Sequence, residues 1–417
     1  MAAIRRGNPR SVRNVLLFVS VFLLGFRISS ILEVMNRAGM QHHLEGEFEP
    51  LMDADVDGLK TEAAAEILPP VVLIPDVMKE GGRVESEGRG GGKNILDILK
   101  ELSKLSGGDS ISDLECPPPL VPFHDRVITN PQAIEATGTA RKIPRIIHVS
   151  MRSRCIPRDI DMFMDRWKVQ FPDYSIFFHD DDAVKRLIHQ EWAEFPDLHR
   201  AMQCVKYKGA MTIDIWRVLI LYKYGGLYSD IDNWAMDTFN ETVIEPDLSA
   251  LFFSDAWSRP SQWFMATEPR HPMMYMAMNQ IISNVLDMKR IFNPKVVFVT
   301  GPGAVKDAYA LFHYYEARED KMRIYEGGVY IGMHGKKTKK IGNDVTPSFI
   351  RPKYNYADIV PFNATLNVTR GERIDMESGV MHWTKKVYKS NKAAVIAISC
   401  KAYLKKLDEG NFTTMGF

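Results

Sequence analysis

Lys208–Asp232 reads KGAMTIDIWRVLILYKYGGLYSDID, and its pattern decides the fold. Between Ile213 and Leu221 nearly every residue is apolar, which predicts a helix buried on most sides. Asp214 and Arg217, three apart, share one face of it, with Ala210 one turn earlier. Gly225-Gly226 ends the helix, and the short apolar run from Leu227 to Ile231 reads as a strand that delivers Asp230 and Asp232. Positions i and i+2 of a strand share one face, so both carboxylates are expected to approach one ion. Hard carboxylate oxygens suit Mn2+ or Mg2+. The placement fits the carboxyl end of a strand, where ligands collect in open α/β sheets.

A buried ion pair needs more compensation than a lone partner supplies. A polyhydroxylated ligand would use the remaining donors and acceptors of Asp214 and Arg217; the alternative is a purely structural intrahelical pair. Asp-x-Asp by itself says little. Asp53/Asp55, Asp55/Asp57, Asp159/Asp161 and Asp180/Asp182 also match, and read as linker, turns or helix starts. Asp53 to Gly58 copies the opening of a calcium loop, yet Ala64 stands where the bidentate glutamate is required, so a solvated acidic linker is the expectation.

Outward from this block the chain alternates. Ile143–Ser150 (IPRIIHVS) predicts a buried strand, about Ile160–Phe171 a helix, Tyr174–Phe178 a strand and Asp181–Trp192 a helix. Leu248–Phe253 then reads as a strand, His271–Met288 as a helix, and a further helix follows Thr300-Gly-Pro-Gly303. Strands alternating with helices imply an α/β fold with a mainly parallel sheet.

The block closely resembles the signature of the Och1-like glycosyltransferases, the DXD-containing glycosyltransferase family 32. Other stretches match in order: IPRIIHVS, FPDYSIFFHDDD, WFMATEPRHP at Trp263–Pro272, TGPG, and MHW at Met381–Trp383. The resemblance spans about Lys142 to Ser390. It departs from the family at Gln262, where Asn is usual, and after His382-Trp383, where Gly-Ser-Trp commonly follows. The resemblance implies a GT-A fold with a Rossmann-like sheet, a nucleotide-sugar donor and a Mn2+-type ion. It implies that Asp230 and Asp232 hold the ion and the donor ribose or phosphates, and that Asp214 and Arg217 grip the transferred sugar. His148, Gly226 and Tyr228 would line the donor, and His382 is the candidate third metal ligand. Lys385 or Lys386 could aid the leaving group alongside Arg217.

The reaction so implied is hexosyl transfer with retention, with mannose from GDP-mannose going in α-1,6 linkage to an N-glycan or related glycoconjugate. A UDP-sugar donor, a glycolipid acceptor, an inactive sugar-binding relative and a DxD-type phosphatase are the other readings.

The 417 residues carry a formal net charge of +1, with 45% apolar and 25% charged residues, so nothing favours a nucleic-acid partner. Arg5, Arg6, Arg10 and Arg13 precede the apolar run from Val15 to Phe26. Read through Arg27, the run from Val15 to Leu32 is 18 residues, just long enough to span a bilayer. No small-residue cleavage site follows at Glu33, Val34 and Met35. The expectation is a cytoplasmic tail at 1–14, an uncleaved anchor at 15–32, a largely disordered stem at 33–141 and a luminal catalytic domain at 142–417, in a type II protein of the Golgi or ER membrane. Within the stem, Asn94–Leu105 reads as one amphipathic helix. Cys116, Cys155, Cys204 and Cys400 form no CxxC pair, so one or two disulfides are expected rather than zinc. Asn240, Asn363, Asn367 and Asn411 open N-x-S/T sequons.

Overall fold

The computed structural model describes residues 95–108, 113–129, 141–205, 209–255, 257–291, 294–314, 318, 320, 322–351 and 398–410. The expected anchor at 15–32, the calcium-like loop, Asn363, Asn367, His382, Lys385, Lys386 and Asn411 lie outside the described residues. No helix among the described residues is long and apolar enough to cross a membrane.

Seven strands form the central sheet: β1 (Ile146–Ser150), β2 (Ser175–His179), β3 (Gly226–Ser229), β4 (Ala250–Ser254), β5 (Pro260–Thr267), β6 (Gly328–Ile331) and β7 (Lys337–Ile341), in the order β2-β1-β3-β5-β4-β7-β6. β1 pairs in parallel with β2 and β3, and β7 with β4, while β5 runs antiparallel to both β3 and β4 and β6 antiparallel to β7. Five strands therefore point one way and β5 and β6 the other, the mainly parallel α/β sheet expected from the sequence. The carboxyl ends of β3 and β4 consequently lie at one edge.

The period-two alternation of strands sorts side chains onto two cores. Ile146, Phe177, Tyr228, Phe252 and Met265 face one core. Ile147, Phe178, Leu227, Leu251 and Phe264 face the other. The first core takes α1 (Ile95–Ser106), α3 (Asp181–Ile188), α4 (Leu198–Val205), α5 (Gly209–Tyr224), α6 (Pro272–Leu286), α7 (Pro302–Phe312) and α8 (Cys400–Asp408). The second takes α2 (Arg158–Gln170), through Ile160, Phe163, Met164 and Trp167. α5 is apolar all round because it lies inside the first core, with Ile215, Trp216, Val218, Leu219, Ile220 and Leu221 all buried.

α5 closes at Gly225, whose N–H donates to Leu221 O and whose φ is +65°. Glycine suits that left-handed position at a helix end. Gly226 follows with φ +91°, and a Cβ there would stand 2.6 Å from Ile146 O of β1. One at Gly225 would stand 2.7 Å from the ring of Pro269. The two glycines let the chain turn from helix to strand with its backbone pressed against β1.

The expected stem boundary is corrected. α1 packs Leu99, Leu102 and Leu105 into the first core. Arg126 exchanges backbone hydrogen bonds with Ile176, capping the outer edge of β2. The buried Asp125 accepts from Arg154 at 2.8 Å. Cys116 is joined to Cys155, so order begins well before residue 142. Polar, proline-rich composition hid this segment, whose three buried leucines are too few to announce a domain. A second disulfide joins Cys204 of α4 to Cys400 of α8, across 196 residues of sequence.

Candidate active site

The site is built where α5 passes the end of β3. Arg217 is its hub. Nη1 donates to Gln262 O at 2.6 Å and lies 3.5 Å from Asp230 Oδ1, while Nη2 lies 3.5 Å from Asp214 Oδ1. The guanidinium also stands over the Tyr228 ring, 4.6 Å from its centre, in cation–π geometry. Asp214 Oδ2 accepts from the Thr300 hydroxyl at 2.8 Å. Asp230 Oδ1 accepts from the Tyr228 hydroxyl at 2.6 Å.

Burial pushes the Asp214 carboxyl up to about 6, against the opposing pull of Arg217 and of the Thr300 hydroxyl. Burial works against the charge of Arg217 as well, but Tyr228, Asp230, Asp214 and Asp232 more than offset it and hold the guanidinium charged. Burial also raises the Tyr228 phenol well above its ordinary range, so it stays a donor.

β3 stops at Ser229, three residues short of the Asp232 that an Asp230–Asp232 strand face requires. Asp230 and Asp232 occupy a turn closed by Asn233 N–H on Asp230 O at 3.1 Å. Asn233 locks it, donating through Nδ2 to Ser229 Oγ and Trp263 O. The shared-face expectation is therefore corrected: a turn, rather than a pleat, carries the two carboxylates. The partner strand contributes through an irregularity. β4 and β5 pair Phe252 with Met265, but Ser254 with Pro260, where a regular ladder would set Ser254 opposite Trp263. Over that stretch the Gln262 carbonyl serves Arg217, while the Trp263 carbonyl, continuing the β3–β5 register, accepts from Asp230 N–H and from Asn233. Bulges recur beside active sites for this reason.

The Asp230 side chain is 31% exposed and Asp232 is partly exposed, so this edge opens to solvent while Asp214 and Arg217 sit behind it. Two hard oxygen donors on an open turn fit a divalent ion that takes its other ligands from a diphosphate and water. No cluster of three or more metal-binding side chains occurs among the described residues.

His148 stands apart from this group. It is buried in β1, with Nε2 3.0 Å from Gly225 O and Nδ1 3.3 Å from His179 Nε2. The Gly225 carbonyl can only accept, so His148 Nε2 carries the proton and His179 Nε2 donates to His148 Nδ1. Burial holds His148 down to about 4 and His179 well below its usual value. His148 thus braces the glycine turn instead of facing the open edge, and Gly226 likewise packs on β1. Asn240 caps a short helical turn, its Oδ1 accepting from the Thr242 N–H and hydroxyl. Of the other Asp-x-Asp pairs, Asp180 is the N-cap of α3 and Asp161 lies in α2.

Residues 157–249 match the family described as the glycosyltransferase sugar-binding region containing DXD motif. That stretch resembles a DXD-containing sugar-binding region of glycosyltransferases. This region includes Asp214, Arg217, Asp230 and Asp232, and the resemblance read from the sequence is shown through it. The chain is 28% identical over 155 residues to "Inositol phosphoceramide mannosyltransferase 1" of Schizosaccharomyces pombe, an alignment covering 35% of this chain and 45% of that protein. It is 24% identical over 161 residues to "Initiation-specific alpha-1,6-mannosyltransferase" of Candida albicans, covering 34% and 40%. It is 23% identical over 198 residues to "Putative glycosyltransferase HOC1" of Saccharomyces cerevisiae, covering 43% and 48%. The chain thus spans less than half the length of these curated relatives. A solved structure, "PaToxG Glycosyltransferase", overlays with a TM-score of 0.32 at 16% identity over 55% of this chain and 84% of that one, too distant a likeness to bear on function.

Two members of the sugar-binding region's surroundings were not assigned a role from sequence. Thr300 sits in the TGPG stretch and Gln262 marks a departure from the family pattern, but neither position carries a local signal for contact with α5. Gln262 Nε2 donates to Thr300 O at 2.8 Å, tying the two together behind Asp214 and Arg217.

Proposed function

We propose that the chain is a retaining, metal-dependent hexosyltransferase that moves mannose from GDP-mannose to a glycan or glycolipid acceptor. The observation that carries this reading is Arg217, suspended between Asp214 and Asp230 at the open end of β3 inside a DXD sugar-binding region. Asp230 and Asp232 would hold a Mn2+ or Mg2+ ion, which when bound neutralises charge developing on the nucleoside diphosphate. The chain's own residues do the remainder. Tyr228 and Arg217 fix the Asp230 carboxylate in one rotamer. Asp214, ionised above about pH 6, accepts from sugar hydroxyls, with Thr300 and Arg217 setting its direction. Arg217 adds a fixed positive charge that suits a departing phosphate. Asp214 is engaged on both oxygens, which suits binding better than nucleophilic attack, and retention then proceeds on one face of the sugar.

Mannose is favoured because two of the similar curated proteins are named mannosyltransferases. The same two names differ in acceptor, inositol phosphoceramide against an initiation-specific α-1,6 activity, so a sphingolipid headgroup stands beside the N-glycan as acceptor and the α-1,6 linkage belongs to the latter. Residence in the Golgi or ER lumen behind the 15–32 anchor is part of the proposal. Two disulfides among the described residues support an oxidising compartment.

Donor hydrolysis across GDP-mannose, UDP-galactose and UDP-GlcNAc, with and without Mn2+, tests the reading. Metal-dependent hydrolysis of GDP-mannose, lost in Asp232→Ala with the fold retained, is expected. Full activity in that variant would sink the assignment.

A further inference from the structure

Trp257 is the most exposed large apolar side chain among the described residues, at 78%. Single exposed aromatics are common on protein surfaces. Two features separate this one: the stiffness of the turn that presents it, and the place where that turn stands.

The turn from Asp255 to Arg259 joins β4 to β5 and is tied by one carboxylate. Asp255 Oδ1 accepts from the N–H groups of Trp257 and Arg259, each at 2.9 Å. Oδ2 accepts from Arg259 Nε at 2.7 Å, with Arg259 Nη2 also at 2.7 Å. Asp255 N–H donates to Arg259 O and Ser258 N–H to Asp255 O, and Ser258 takes the left-handed φ of 58°. The backbone N–H groups of Trp257, Ser258 and Arg259 are thus held by Asp255 before any ligand arrives, and preordering lowers the entropic cost of binding.

The turn also stands over the sheet edge that carries the DXD carboxylates. β4 points the same way as β3 and runs directly into it. β5 returns from it through Trp263, whose carbonyl accepts from Asp230 N–H at 2.8 Å.

We propose that Trp257 is the platform on which the acceptor saccharide stacks, an inference that rests on the glycosyl-transfer reading of the same edge. A pyranose ring presents a face of polarised C–H groups, which packs against the electron-rich face of an indole. The acceptor must reach the donor sugar from outside the DXD turn, and the turn that bears the indole lies at that end of the sheet. A lipid surface is the less suited occupant. Membrane insertion wants several neighbouring large apolar groups, whereas the stretch DAWSRP around Trp257 offers none beyond the indole and carries Asp255 and Arg259 paired to each other.

The test uses the full-length chain labelled with 5-fluorotryptophan, the Trp257 resonance being assigned by its loss in Trp257→Phe. The chain is titrated with neutral α-mannotriose and, separately, with phosphatidylcholine vesicles. Acceptor and donor KM are measured in parallel for the wild type, Trp257→Ala and Trp257→Phe. The expected result is a saturable shift of the Trp257 signal with mannotriose, and an acceptor KM about tenfold higher in Trp257→Ala with donor KM held, mostly recovered in Trp257→Phe. An unmoved Trp257 signal in a chain that still hydrolyses donor would overturn the inference and leave the glycosyl-transfer reading intact. A shift with vesicles in place of the sugar would overturn it in favour of a membrane contact. Absence of donor hydrolysis in the wild type would instead remove the transfer reading, and a saturable mannotriose shift would then leave a saccharide-binding surface standing.

Discussion

Tyr228 donates its hydroxyl to Asp230 Oδ1 at 2.6 Å while its ring supports the guanidinium of Arg217. One side chain thus orients both a carboxylate of the DXD turn and the cation behind it. Tyr228→Phe keeps the ring and removes the hydroxyl, so the expected loss lies in ion affinity more than in stability. Loss of such an outer hydrogen bond costs about 10–100-fold in metal affinity or activity. The Mn2+ dependence of donor hydrolysis would show the half-saturating concentration rising by that factor, and an unchanged curve would separate Tyr228 from Asp230.

Asp214 predicts the acid limb of catalysis. Its carboxyl is held at about 6 by burial, with Arg217 and the Thr300 hydroxyl opposing. Donor kcat/KM should therefore fall below about pH 6. Thr300→Val deletes a hydrogen bond to the ionised form, so the limb should move to higher pH, at a stability cost of about 1–3 kcal/mol for the orphaned oxygen. A limb that stayed in place would show that another group governs it.

Acidification should destabilise the fold. Burial lowers His148 to about 4, His271 to about 3, His313 to about 4 and His179 further. A histidine with a depressed native value stabilises the fold fully above its unfolded value near 6.5, and that contribution is lost as pH falls toward the native value. Asp214 acts with the opposite sign between about 6 and 4, because its native value is raised. Asp161, Asp181 and Asp307, also raised by burial, act on the same side as Asp214, but the four strongly depressed imidazoles outweigh them, so urea unfolding should show a net loss of at least about 2 kcal/mol between pH 7 and pH 5. Constant stability over that window would mean that the imidazoles are hydrated.

Cys400→Ser should lower stability by about 2–5 kcal/mol, since the bond to Cys204 closes a very long loop. A drop in melting temperature on mild reduction of the wild type, absent from the variant, would assign the effect to this bridge.

Much of this was readable in advance, for identifiable reasons. α5 announced itself because a run of apolar residues with two charges three apart has few other solutions. The glycine pair and the strand after it followed from turn chemistry. The end of β3 did not, because Asn233 reaching back to Ser229 and across to Trp263 is a contact between segments distant in sequence. The family resemblance sets His148 beside the donor, yet both of its ring nitrogens have neighbours inside the core. The contacts of Thr300 and Gln262 carry no local sequence signal, since a hydroxyl or amide acquires meaning only from what the fold sets beside it. The segment before residue 142 reads as a stem because its attachments, a disulfide and one buried Asp125–Arg154 pair, leave no periodic trace.

The Gly225-Gly226 turn has a further consequence. It works as a gauge block between helix and strand: hard-sphere contact with Ile146 and Pro269 sets how far the helix-borne Asp214 and Arg217 stand from the turn-borne Asp230. Because that spacing is a property of the main chain, the side chains around it are free to diverge. A lineage could exchange Gln262 or Trp257 to recognise another sugar without losing the alignment of its charges, whereas a single methyl at residue 226 would misalign them all.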